Sequence, residues 1–145
     1  MNTSAMFWPL SESSWGDGER EAIVAVLDSG SVTMGKEVVR FEEAFAKEVG
    51  SKYAVMVNSG SSANLVAIAS LLHHPTRPLR RGDEVIVPAI AWATTYAPLQ
   101  QYGLKLRVLE VDETLNIDVT ELGKALTPKT RLLVAANILG FPADL

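Results

Sequence analysis

A chain of 145 residues, 48% of them hydrophobic, is long enough for one domain with a real core and too apolar to be disordered. Seventeen acidic against thirteen basic residues leave a net charge of −4 and a pI of about 5.2, without the basic stripe that nucleic-acid binding needs. Cysteine is absent, which excludes a disulfide framework and a thiolate metal site.

Residues 1–10 lack a basic region followed by an apolar core, so no signal peptide is expected there. No apolar run is long enough to span a bilayer, and a cytoplasmic protein without a membrane partner is the expectation. Phe7, Trp8, Pro9 and Leu10 form an apolar cluster suited to docking. Asp17 and Glu19 sit where acids favour a helix start, and Ala22, Ile23, Val26 and Leu27 then mark one apolar face. Gly30 ends this helix as a left-handed residue. After a loop at residues 31–35, a second amphipathic helix carries Val38, Phe41, Phe45 and Val49 on one side and stops at Gly50. Lys36, Glu37, Arg40, Glu42, Glu43, Lys47 and Glu48 read as its solvated face. Residues 1–52 are thus a helical N-terminal segment.

From residue 53 the period changes. Apolar runs at 53–58, 84–89, 106–111 and 132–137 predict strands; residues 63–72, a short stretch around 96–102, and 119–126 predict helices. Asp118 with Glu121 three later is a capping-box variant, and Gly103 closes the middle helix. Strands alternating with helices over 53–145 predict an α/β domain with a mostly parallel sheet. The only histidines, His73 and His74, adjoin at a helix end, where neighbours point apart and do not share an ion easily; a solvated helix end is expected, and no metal site. Residues 74–81, with two prolines and three arginines, read as an exposed connector.

Ligands of open parallel sheets bind beyond the carboxyl ends of the strands. The first such end is Asn58-Ser59-Gly60-Ser61-Ser62, a tight Ser/Gly turn into a helix. The unpaired N–H groups and positive dipole end of that helix make a phosphate cradle, to which the hydroxyls of Ser59, Ser61 and Ser62 could add donors. An ordinary N-cap explains the same residues. The second strand end offers Trp92 between Ala91 and Ala93, followed by Thr94 and Thr95. An indole placed there suits stacking on a flat ring, or else packing in a core or interface. Cradle and indole together fit a ligand with a phosphate and a flat ring, either pyridoxal phosphate or a nucleotide. The remaining strand ends are Val111-Asp112-Glu113 and residues 137–141.

Three stretches then carry a specific resemblance: Gly-Asp-Glu-Val-Ile-Val-Pro-Ala-Ile-Ala-Trp-Ala-Thr-Thr (82–95), Asn-Ser-Gly-Ser-Ser-Ala-Asn-Leu (58–65) and Gly-Ser-Val-Thr-Met-Gly-Lys-Glu-Val-Val-Arg-Phe-Glu (30–42). They resemble the N-terminal part of the DegT/DnrJ/EryC1/StrS family of PLP-dependent sugar-nucleotide aminotransferases and dehydratases. Residues 96–103, 114–118 and 137–144 are most similar to the colitose-pathway branch, which contains GDP-4-keto-6-deoxy-mannose 3-dehydratase; Phe141 departs from the polar residue expected after Leu139-Gly140. The resemblance runs from about Trp8 to Leu145.

It implies the PLP-dependent transferase fold (aspartate aminotransferase fold type I), with residues 1–145 as the N-terminal part of the large domain. It implies that Gly60 and Ser61, with Ser59 beside them, hold the phosphate of pyridoxal 5′-phosphate, and that Trp92 stacks on its ring. Thr33, Met34 and Gly35 would line the sugar-nucleotide site, of the partner subunit in a homodimer. The substrate would be a nucleotide-linked 4-keto-6-deoxy hexose, changed by C3 dehydration where the base is His or by transamination where it is Lys. That base, and the acid paired with the pyridinium nitrogen, are expected beyond Leu145. No catalytic residue is therefore assigned within the chain, which alone is expected to be inactive. The alternatives are a non-catalytic phosphate- or nucleotide-binding domain and an inactive fragment.

Overall fold

The computed structural model describes residues 13–145; the apolar cluster at residues 7–10 lies outside them, as does the stretch read for a signal peptide. The described chain forms two compact units that divide between Met56 and Val57.

In the first unit, α1 (Asp17–Asp28) begins where the Glu19 carboxylate accepts the Gly16 N–H at 2.8 Å, and it ends at Gly30 with φ of +69°. Helix α2 (Lys36–Glu48) ends at Gly50, φ +67°. Both glycine stops follow from the left-handed backbone that closes a helix. Phe41 and Phe45 stack at 5.7 Å, yet each is about half exposed, and Ala46 is the one buried residue of α2. The charged face is exposed, with Arg40 paired to Glu37 at 2.8 Å, except at the half-buried Glu42, which accepts the Met56 N–H at 2.8 Å.

The strand expected at residues 53–58 does not form. A strand exists only as one rung of a ladder. No described strand pairs with this segment, and Tyr53 and Val55 are each 74% exposed.

The second unit is built on a three-stranded parallel sheet in the order β2-β1-β3, from β1 (Glu84–Pro88), β2 (Lys105–Leu109) and β3 (Thr130–Leu133). Alternation sends Val85 and Val87 to one face, where they pack with Ile68 of α3 (Gly60–Leu72) and Leu99 of α4 (Ala93–Gln101). Ile86 faces the other way, against Ile117 and Ala125, the latter on α5 (Val119–Ala125). β1 is therefore covered on both sides, which is why it reads as an uninterrupted apolar run.

Several boundaries differ from the sequence reading; α4 begins at Ala93 and β2 spans Lys105–Leu109. α3 begins three residues early, at Gly60, because the Ser59 side chain accepts the Ser62 N–H at 3.1 Å and caps the turn. β3 starts at Thr130 rather than Leu132 and ends at Leu133. Its start is tied down: Thr127 and Thr130 donate to the Glu84 carboxylate at 2.9 and 2.8 Å. Asp118 caps α5 through the Thr120 N–H, but Glu121 turns to Lys124 at 2.6 Å, so the capping box does not close. His74 is not a freely solvated ring either; its Nδ1 accepts the Arg77 N–H at 3.1 Å and shapes the connector.

Two predictions follow from these contacts. The Thr130 and Thr127 hydroxyls, with a smaller contribution from Arg107, hold the Glu84 carboxyl below its ordinary 4.5, against the opposing effect of burial. A depressed carboxylate contributes stability that is present above 4.5 and lost as pH falls through the folded value. The melting temperature should fall more steeply for wild type than for Glu84→Gln between about pH 5 and about pH 3, and parallel profiles would exclude this role. Ser59→Ala should cost about 1 kcal/mol, read as a lower urea midpoint at unchanged slope.

Candidate functional site

The carboxyl end of β1 is fixed from several directions. The Ala89 N–H donates to the Leu109 carbonyl at 2.8 Å, which carries the sheet one residue past Pro88. The Tyr96 hydroxyl donates to the Pro88 carbonyl at 2.8 Å, and burial pushes that phenol above its ordinary range. Between these ties runs a short turn that ends at Trp92, the N-cap of α4, whose carbonyl accepts the Thr95 N–H at 2.8 Å. The Trp92 side chain contributes nothing to the core: it is 77% exposed. Among the described residues the core alternative for this indole is thereby excluded.

At the start of α3, the Ser62 N–H is taken by the Ser59 hydroxyl and the Ala63 N–H by the Ser59 carbonyl at 2.9 Å. The N–H groups of Gly60 and Ser61 donate to no acceptor among the described residues. These are two of the four orphan donors that every helix start carries. No acidic residue lies in the first turn of α3, and a methyl group built on Gly60 would meet nothing within 4 Å. Two free amides in open space at the positive end of a 13-residue helix suit an anion such as a phosphate monoester. The Ser59 hydroxyl is occupied by the cap and lies 3.2 Å from the Ser62 hydroxyl, so of the three serines only Ser61 keeps a side chain without a partner among the described residues. The Asn64 amide donates to the Thr94 carbonyl at 3.2 Å and ties the cradle helix to the helix that carries Trp92. Cradle and indole therefore stand at the same end of the sheet.

The other strand ends contribute less. Asp112 is pinned in its own loop, its carboxylate accepting the Thr114 N–H and hydroxyl at 2.8 and 2.6 Å; those bonds hold it below the ordinary carboxylate range. Beyond β3, the Asn137 side chain accepts the Ala143 N–H at 3.1 Å, and Leu139 takes φ of +51°. Asn116, which the sequence did not single out, is buried and donates to the carbonyls of Phe141 and Pro142 at 3.2 and 3.4 Å. Thr33, Met34 and Gly35 lie in the first unit, on the loop between α1 and α2. Met34 is 86% exposed, and the Gly35 carbonyl accepts the Val38 N–H at 3.1 Å. No cluster of potential metal ligands occurs among the described residues.

Sequence and structure comparisons give the family and the fold of the chain. A GDP-4-keto-6-deoxy-D-mannose 3-dehydratase from Yersinia pseudotuberculosis is 51% identical over 138 residues, 94% of this chain and 35% of its own. A solved GDP-4-keto-6-deoxymannose-3-dehydratase, crystallised with a PLP–glutamate geminal diamine, superposes with a TM-score of 0.92. It is 50% identical over 95% of this chain and 36% of its own. A Streptococcus pneumoniae chain only 24% identical shares the fold, with a TM-score of 0.85 over 94% of this chain and 34% of its own. The chain thus spans about 35% of the length of the curated relatives it matches. The pattern of the DegT/DnrJ/EryC1/StrS aminotransferase family matches residues 14–145, and the chain belongs to that family.

Proposed function

We propose that the whole protein is a PLP-dependent enzyme of nucleotide-sugar biosynthesis that acts on a GDP-linked 4-keto-6-deoxy hexose. Residues 1–145 would form the N-terminal part of its large domain. The observation that carries this reading is the pair of free amides on Gly60 and Ser61 beside the exposed indole of Trp92. PLP has a phosphate for the first and a flat pyridine ring for the second. In this reading Gly60 and Ser61 donate to the phosphate, the Ser59 cap keeps their N–H groups aimed outward, and the Ser61 hydroxyl adds a donor. Trp92 lies against the ring and keeps water from that face. When bound, PLP supplies the electron sink for bond breaking at the sugar.

C3 dehydration is favoured over transamination because the relatives about 50% identical are 3-dehydratases. Thr33, Met34 and Gly35 are proposed to contact the sugar nucleotide, within a homodimer; the exposure of Met34 supports that assignment. No residue of this chain is given a bond-breaking role.

Gly60→Pro tests the cradle. Proline is well accepted at the first position of a helix, and Ser59 before it is already extended, at φ −165° and ψ 161°. The substitution therefore deletes one N–H and little else. Loss of a hydrogen bond to a charged group costs about 1.5–3 kcal/mol, so PLP affinity should fall by roughly ten- to a hundredfold. Affinity for pyridoxal, which has no phosphate, should not change. Trp92→Ala should weaken both ligands by about two- to tenfold. The activity itself is read by incubating the whole protein with PLP, glutamate and GDP-4-keto-6-deoxy-mannose. A 3-deoxy sugar is the expected product; a 4-amino sugar would make the protein an aminotransferase, and no product would contradict the reading.

A further inference from the structure

Pro98 lies inside α4 and has no N–H. In a regular helix the residue-98 N–H would bond to the carbonyl four residues earlier, which is Thr94. That carbonyl instead receives the side-chain amide of Asn64, 30 residues upstream on α3, at 3.2 Å. Among the described residues no other hydrogen bond joins α3 to α4. Asn64 sits three residues beyond Ser61, and Thr94 two residues beyond Trp92. The bond thus runs between the helix turn that carries the free amides and the turn that presents the indole.

Nothing else of comparable reach holds the ring. The indole is 77% exposed and makes no hydrogen bond among the described residues, so its position is set by the backbone beneath it. The Tyr96 and Ala89 bonds fix that backbone relative to the sheet. Apolar packing through Ile68 and Leu99 lays α4 along α3, and the Asn64 bond is the one hydrogen bond among the described residues that ties this backbone to the early turns of α3.

We propose that Asn64 is a positioning residue: by donating to the carbonyl that Pro98 leaves without its helical partner, it sets the spacing between the amides of Gly60 and Ser61 and the ring of Trp92. The proposal rests on the PLP reading above, because spacing matters only to a ligand that touches both. A ligand that spans phosphate cradle and indole must pay for any slack between them in lost ordering. A ligand held by one of the two has no such cost.

The test is a double-mutant cycle on the whole protein, with PLP binding read by equilibrium dialysis for wild type, Asn64→Ala, Trp92→Ala and the double variant. Asn64 is exposed and lies within a helix, so alanine there should leave the melting temperature nearly unchanged. Asn64→Ala alone is expected to weaken PLP binding about three- to tenfold. In the Trp92→Ala background the same change is expected to matter less than about twofold. A general loosening of α3 would lower affinity by the same factor in both backgrounds, and that result would overturn the proposal. So would an Asn64→Ala variant that binds PLP as wild type does while Trp92→Ala is weakened. If Trp92→Ala itself binds PLP normally, the stacking reading falls and the positioning role falls with it. The two failures are thus told apart by the Trp92 single variant.

Discussion

Burial of β1 on both faces is the constraint from which the βαβ unit follows. Val85, Ile86 and Val87 are all fully buried, so each neighbouring residue must find partners in an opposite layer. α3 and α4 satisfy one side through Ile68 and Leu99, and α5 satisfies the other through Ala125. With the helices committed to those layers and the strands parallel, the helices on the Val85 face begin near the carboxyl end of β1. The start of α3 and the turn into α4 therefore share one end of the sheet. The Asn64–Thr94 bond joins them there.

What that end can do follows from which donors the fold leaves over. A helix start exposes four N–H groups. The Ser59 side chain takes the Ser62 N–H, and the Ser59 carbonyl takes the Ala63 N–H as the first helical bond, which stiffens the turn and leaves the Gly60 and Ser61 N–H groups free. An anion at this end would be held by the backbone and not by charged side chains, which is compatible with an acidic chain. The Trp92 indole is the complementary element, because its face offers area without charge. Its exposure is costly unless something covers it, and a flat ring anchored by a phosphate at the cradle would do so.

Much of this was legible from residue pattern. Glycines at 30, 50 and 103 stop the helices because each takes a left-handed backbone, and the sequence marks such positions directly. The parallel sheet followed from strand–helix alternation, and the candidate site from small residues and an indole placed just after apolar runs. The failures share a cause. Residues 53–58 have strand composition, but composition cannot supply a ladder partner. The apolar faces of α1 and α2 were legible too, yet Phe41 and Phe45 stay half exposed because pattern specifies a face and not what covers it. Glu121 fitted a capping box, but Lys124 one turn later offered a closer partner. The Asn64–Thr94 bond joins residues 30 apart at the carbonyl whose helical donor position is Pro98, and no local window contains all three.

The most direct measurement is a crystal structure of the whole protein soaked with PLP. The account predicts phosphate oxygens within hydrogen-bond distance of the Gly60 and Ser61 nitrogens and the pyridine ring lying flat on Trp92. A phosphate held elsewhere, with those two amides left to solvent and the indole uncovered, would contradict it.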